Sequence, residues 1–335
     1  MNELNSVQKA ALELIIRDVQ FFYTYVDLHK NAKNLKINYS CMLNPYVGLF
    51  VDGAEQWCGK VGLEVSQFND EEKEYYAGVR QAHKLFDTSY AEYRSTMERL
   101  FQKSDNYFRE AAYAKGYLVY TNVGVDIYHG HFCGNTILCS YNFPDFRYDD
   151  PNLGRYLRRV NEFGGKLIAE LGGFLLPVLH YNQQERINPK DYHFFEYCPL
   201  KTDSFDDFCF FSILCNINFV VEFLANYIEG ETTSIFKFAY LQYFYLCDLV
   251  GDIARTTGVA FDLDDKYHDR KFRNCLAHYG LGQYMSAEDI INDDPLKGLT
   301  FKAFGKNYIT VKTEVFAMLQ HLAKQIADHV LRTQE

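Results

Sequence analysis

Apolar side chains recur every three or four positions over long stretches of this chain, a period that predicts helices. Ser6 is placed to cap a first helix running to about Lys30, with Leu12, Ile15, Ile16, Val19, Phe22 and Tyr23 along one side. The next stretch, KINYSCMLNPYVGLFVDG, is rich in β-formers and is interrupted by Asn44-Pro45. That pattern predicts a hairpin or a pair of short strands. A long helix is expected from about Asn69. Its seam runs through Tyr75, Val79, Ala82, Phe86, Tyr90, Tyr93, Met97 and Leu100, with Ser104 and Tyr107 beyond. A helix buried in a bundle accounts for that seam better than an intermolecular coiled coil.

From Gly116 to Tyr141 the pattern turns to strands and glycines, and residues 153 to 171 read as helix again. Pro189 and Pro199 punctuate an irregular stretch, and a domain boundary is expected near residue 200. Two apolar helices follow, over roughly 206–229 and 233–256, separated by Gly230 and Thr232; a third covers about 264–280. A hairpin-like insertion, GLTFKAFGKNYIT, precedes a final helix from about Lys312 to Leu331. The expectation is a mainly α protein in two parts. Residues 1–200 would form a mostly helical domain with short β hairpins and a sensing or regulatory role. Residues 201–335 would form an antiparallel four-helix bundle.

Composition narrows the function. The chain has 335 residues and a formal net charge of -10, so coating duplex nucleic acid by counterion release is disfavoured. A locally positive cleft in an acidic protein is still compatible with RNA. The 28 Phe and 27 Tyr point first to helix-packing cores and only second to a ligand surface. Nine cysteines, none paired as CxxC and several inside apolar runs, fit a reducing compartment. The N-terminal stretch carries charges within its apolar part, and no run is expected to reach the length of a membrane span. The expected location is the cytoplasm. Walker A, GxGxxG, GxSxG and HExxH patterns are missing, so ATP hydrolysis, dinucleotide redox chemistry and serine or zinc hydrolysis have no sequence support.

The segment KYHDRKFRNCLAHYG carries the chemistry. At about 100° per residue, Phe272, Leu276 and Tyr279 form its core stripe, flanked by Cys275, and Arg273, Asn274, Ala277 and His278 fall opposite. Arg273 and His278 then lie roughly 140° apart about the axis, with small Ala277 between them. A long arginine can lean back, so both heads can reach one groove, and Ala277 would let a second helix approach closely. Histidine supplies a proton acceptor and donor near neutral pH, and arginine a fixed positive fork for a pentavalent phosphate. Asn274 can orient either. RNA brings its own nucleophile in the 2′-hydroxyl. The bland alternative is a pair of polar side chains that merely solvate or cap a helix.

Arg273-Asn274-Cys275-Leu276-Ala277-His278, late in an apolar helical bundle, resembles the signature of the HEPN family (higher eukaryotes and prokaryotes nucleotide-binding). That signature is Arg, four to six residues, then His, often with a polar residue after the Arg. The resemblance covers about residues 201–335. It implies a metal-independent endoribonuclease that leaves a 2′,3′-cyclic phosphate and needs no cofactor. Arg273 and His278 would be catalytic and Asn274 supportive. Beside the motif, Lys266, Arg270 and Lys271 stand where an RNA cleft would want them, diluted by Asp269; Asp248 and Asp252 could line the cleft with Tyr279 in support, but an exposed acidic stripe is the favoured reading of the two aspartates. The resemblance also implies a setting in antiviral defence, abortive infection or toxin–antitoxin pairing, a homodimer with a composite active site, and an antitoxin or regulatory partner. The toxin subgroup paired with a nucleotidyltransferase carries a Tyr two places after the His; here Gly280 stands there and Tyr279 comes one earlier. The rival reading is a catalytically silent RNA- or nucleotide-binding, or dimerisation, module.

Other clusters are weaker. Strand alternation would put His129, His131 and Cys133 on one face, with Cys139 nearby, but the usual zinc spacing is missing and buried thiols are favoured. Asp262, Asp264 and Asp265 resemble a calcium loop in charge alone, and a solvated helix start is favoured. Arg186 and His193 repeat the Arg–His pattern, but Asn188-Pro189 intervenes and no regular helix presents them together.

Overall fold

The structure is a computed structural model and describes residues 3–31, 37–65, 68–143, 146–149, 162, 164–230, 232–291 and 294–332. Among the described residues it is mainly helical with one small three-stranded sheet. The helices used below are α1 (Ser6–Asn31), α2 (Ile37–Val61), α3 (Asp70–Gln81), α4 (Tyr90–Ala114) and α5 (Thr136–Tyr141). They continue as α6 (Phe205–Asn218), α7 (Thr233–Thr257), α8 (Arg270–His278), α9 (Pro295–Phe304) and α10 (Tyr308–Val330). The strands are β1 (Val123–Tyr128), β2 (His131–Asn135) and β3 (Asn188–Tyr192); β1 is central and pairs antiparallel with both neighbours. The helix expected over 153–171 falls mostly outside the described residues, and 164–170 is helical.

The segment predicted as a hairpin around Pro45 is instead the long helix α2, with Pro45 inside it. Proline removes the amide that would bond to the carbonyl four residues back. That carbonyl belongs to Cys41, and Asn142 Nδ2 donates to it at 2.9 Å. A side chain about a hundred residues away in sequence therefore offsets the local defect. The β-rich composition of the segment reflects burial, since Met42, Leu43, Tyr46, Val47, Leu49 and Phe50 all enter the core.

The long helix expected from Asn69 is two helices. Asn69 caps α3 in a capping box with Glu72, and Ser89 caps α4 in a second box with Glu92. The apolar seam runs through both, but the chain turns between them. The second predicted hairpin, GLTFKAFGKNYIT, is also helical. Gly305 ends α9 with φ 64°, and Asn307 begins α10 by accepting from Thr310 N at 2.9 Å. A glycine stop followed by an asparagine start mimics the Gly/Asn chemistry of a β-turn.

The helix α6 continues through a π turn over 219–224 to Tyr227. Contrary to the expectation that no apolar run reaches membrane-spanning length, Phe205–Tyr227 is long and apolar enough by length and composition. Of that apolar window, 83% is buried inside the fold.

One apolar core runs continuously across residue 200. Phe21 of α1 meets Phe238 of α7 edge-on at 5.3 Å, and Tyr46 of α2 stacks on Phe238 at 4.0 Å. Tyr240 of α7 packs on Phe272 of α8 at 4.6 Å, and Phe236 on Tyr308 of α10 at 5.3 Å. The helix α7 is therefore the spine against which α1, α2, α8 and α10 are set. Nearly every side chain from Ser234 to Leu246 is buried.

Candidate active site

The helix α8 is shorter than its expected span of 264–280 because both ends are stopped locally. The Asp269 side chain accepts from Phe272 N at 2.7 Å and fixes the start. Tyr279 ends the helix in the left-handed region, at φ 54°, a conformation costly for a bulky residue. What holds it there is a buried network. The Tyr279 hydroxyl donates to Asp18 Oδ2 at 2.5 Å and accepts from Lys237 Nζ at 3.0 Å. Lys237 also donates to Asp18 at 2.7 Å, and Ser234 Oγ donates to the other carboxylate oxygen at 2.5 Å. Asp18 and Lys237 are both almost fully buried. Burial pushes the Lys237 ammonium down from its ordinary value, with Asp18 opposing, and raises the Tyr279 phenol well above its own. Tyr279 thus faces the interior and anchors the end of the helix that bears His278.

The opposite side of α8 meets α2 and α3 of the same chain. Ala277 is buried with Leu49 and Leu241. A Cβ on Gly53 would stand 3.2 Å from the Ala277 carbonyl oxygen and 3.1 Å from Tyr279 Cε2, so α2 approaches α8 as closely as glycine permits. The close helix approach expected over Ala277 is made here by α2.

Beside this contact a cavity of about 530 Å³ opens between α1, α2 and α8. Asn274 and His278 line it from α8, Gln56, Trp57 and Lys60 from α2, and Arg80 from the end of α3. Arg273 is not part of the lining. Its guanidinium carbon sits 5.1 Å from the Phe244 ring centre and 5.4 Å from that of Tyr245. Its Nε is buried without a hydrogen-bond partner, and no carboxylate pairs with it among the described residues. Its positive charge nonetheless reaches His278.

Arg80 is the residue that sequence reasoning missed. Its Nη1 donates to Asp52 Oδ2 at 2.5 Å, while Nη2 lies 3.4 Å from both Nδ1 and Nε2 of His278. Equal distances that short rule out an in-plane approach, which would drive the nitrogen into Cε1. The guanidinium therefore lies over the imidazole face and leaves the in-plane lone pair unengaged. Burial and the adjacent guanidiniums of Arg80 and Arg273 push the His278 pKa down to about 4. The neighbouring His83 is pushed to about 3, mainly by burial. Its Nδ1 donates to the Arg80 carbonyl, and the Tyr245 hydroxyl lies 3.4 Å from its Nε2. A sequence clue did exist, since Asp52, Gln56 and Lys60 recur at i, i+4. It is legible only once the segment is read as helix.

The remaining predicted residues lie elsewhere. Lys266 pairs with Glu314 at 2.6 Å, tying the loop before α8 to α10. Arg270 and Lys271 are exposed on the first turn of α8, with Lys271 5.7 Å from the Tyr284 ring centre. None of the three lines the cavity of His278. Asp252 caps α4, accepting from Tyr90 N at 2.6 Å, and Asp248 is exposed 3.6 Å from His268. Neither aspartate lines that cavity.

His129 occupies the tight turn between β1 and β2 with φ 48°, so it does not share a strand face with His131 and Cys133, contrary to the alternation read from sequence. It pairs with Glu185 at 2.8 Å, while Cys133 is buried. Among the described residues no group of three or more His, Cys, Asp or Glu is gathered as a metal site would require. Asp262, Asp264 and Asp265 occupy the loop ahead of α8, where Asp264 accepts from Lys266 N at 3.0 Å. His193 directly follows β3 and Arg186 precedes it, so the second Arg–His pair sits on no helix.

Comparison of the chain with protein-family models, with curated proteins and with solved structures finds no match.

Proposed function

We propose that this chain is a metal-independent endoribonuclease of HEPN type, with α6, α7, α8 and α10 as its helical bundle. The observation that carries the reading is an arginine with no carboxylate partner among the described residues, Arg273, set five positions along α8 from a neutral histidine at a cavity wall. In this reading His278 takes the proton from the 2′-hydroxyl through a ring nitrogen. The 2′-oxygen attacks phosphorus, and the bond to the 5′-oxygen breaks as that oxygen receives a proton back. Products are a 2′,3′-cyclic phosphate and a 5′-hydroxyl. Arg273 swings off the Phe244 and Tyr245 rings to stabilise the charge on the pentavalent phosphate, and Asn274, already at the cavity wall, orients it.

A histidine held near pH 4 is a weak base, and that favours the rival reading of a silent RNA- or nucleotide-binding module. A bound phosphodiester offsets it. Its negative charge screens the two guanidiniums and raises His278 toward its ordinary value. Antiviral defence or a toxin–antitoxin pair, a cytoplasmic setting, homodimerisation and a regulatory protein partner complete the proposal.

The test is cleavage of labelled RNA by the purified chain beside Arg273→Ala and His278→Ala, with and without EDTA. Wild-type cleavage that survives EDTA, ends in cyclic phosphate and falls about 10²- to 10⁴-fold in His278→Ala supports the nuclease. Equal behaviour of all three proteins supports the silent module.

A further inference from the structure

Outside α8 itself, the cavity wall holds a second constellation. Arg80 is buried to within 18% of its side-chain surface, yet carries more donor capacity than its partners use. Asp52 takes Nη1, His278 lies under Nη2, and Nε is buried with no partner. Asp52 also accepts from Gln56 Nε2 at 2.9 Å, so one carboxylate holds both an arginine and an amide at the wall. One turn further along α2, Lys60 is exposed at the rim beside Trp57. Glu55, the nearest other carboxylate on α2, is paired with Lys73 at 3.6 Å. Arg80 and Lys60 line the cavity with no carboxylate among its described lining residues, and Lys84 and Arg273 add positive charge near His278. This positive excess stands out in a chain of net charge -10. The amides of Gln56, Asn274 and Gln283 on the same wall can read base edges, and a volume of about 530 Å³ suits a ligand of nucleotide size.

We propose that this cavity binds single-stranded RNA through a backbone phosphate, with Arg80 of α3 as a phosphate-binding cation supplied within the chain. It rests on the ribonuclease reading for the identity of the nucleic acid. Asp52 is a positioning residue that aims the Arg80 fork, and Lys60 takes the next phosphate at the rim. The part of the chain before residue 200 thereby completes the site that α8 begins.

The probes are inorganic phosphate and a 2′-O-methyl trinucleotide, which keeps its phosphates but has no nucleophile. Binding is read by calorimetry and by the NMR titration of His278. Wild type should bind the trinucleotide, with the His278 pKa rising on saturation. Arg80→Gln should weaken binding at least tenfold, and Arg80→Lys should recover part of it. Lys60→Glu, an exposed substitution that spares the core, should weaken it severalfold. Binding unaltered in both Arg80→Gln and Lys60→Glu, or no binding by wild type, overturns the proposal. Should Arg80→Gln not fold, Lys60→Glu and Arg80→Lys decide it. RNA cleavage that is indifferent to Arg80 sinks this inference alone. Arg80-dependent binding without cleavage sinks the nuclease and leaves this inference standing.

Discussion

The guanidinium of Arg80 lies over the imidazole of His278, with Nη2 3.4 Å from each ring nitrogen across 198 positions of sequence. Cation and ring are held by different helices. Asp52 tethers Arg80 from α2, and the Tyr279 anchor holds the end of α8. Because the contact is face-on, it discourages a proton on the ring without occupying the nitrogen that would accept one.

Replacing Arg80 should therefore raise the His278 pKa. Burial is the larger cause of the depression and Arg80 the next, followed by Arg273, Lys237 and Lys84. Arg80→Met should shift the ring upward, still short of its ordinary value because burial persists. The imidazole Cε1–H resonance followed against pH measures this directly. An unchanged midpoint would place the guanidinium elsewhere in solution.

Stability should fall in mild acid. His278 and His83 have folded-state pKa values of about 4 and about 3, below the ordinary 6.5 they recover on unfolding. Between those values the unfolded chain binds more protons, so stability rises with pH through the window and is complete above about 6.5. Falling pH removes on the order of 3 kcal/mol through His278, beginning near 6.5 and ending near 4, with His83 extending the loss to about 3. Urea midpoints measured across this range should decline, and His278→Gln should flatten the upper part of the curve. A flat wild-type profile would contradict the burial of both rings.

The Asp18–Lys237–Tyr279 network should be expensive to break on one side. Lys237→Met leaves a buried carboxylate with two donors and should cost about 3–5 kcal/mol, whereas Asp18→Asn with Lys237→Met should cost less than the sum of the singles. Tyr279→Phe, which removes one hydroxyl, should cost about 1–3 kcal/mol. A double-mutant cycle in denaturant tests the coupling, and strict additivity would refute it.

Gly53→Ala should disturb the seat of α8 without removing any charged side chain. Its Cβ would meet the Ala277 carbonyl oxygen at 3.2 Å and the Tyr279 ring at 3.1 Å. The strain should cost about 1–3 kcal/mol and displace His278 from Arg80, seen as a partial rise of the His278 pKa. Ala at Gly59, where nothing lies within 4 Å, is the matched control and should be neutral or slightly stabilising because alanine favours helix.

Much of the fold was legible as period. The 3.6-residue repeat located α1 and most of α10, because one-sided burial writes itself into local spacing, whereas α6 and α7 were located as long apolar runs separated by Gly230 and Thr232. At α2 the reading failed on a segment rich in β-formers, interrupted by Asn44-Pro45 and buried on several faces. The helix α2 enters the core with side chains on several faces, so its pattern loses the helical period and reads as strand. The break between α3 and α4 was written in Ser89 and Glu92, but the continuous seam masked that capping box.

The sequence by itself determined that one helical segment carries a guanidinium and an imidazole five positions apart, while the structure set its start at Asp269. Only the tertiary structure decided which neighbours they have. Arg80, Asp52 and Lys237 come from three other helices, and nothing local records the pairing. Helix periodicity reports which face is buried. It cannot report against what, because that depends on contacts between segments whose separation along the chain leaves no trace in either one.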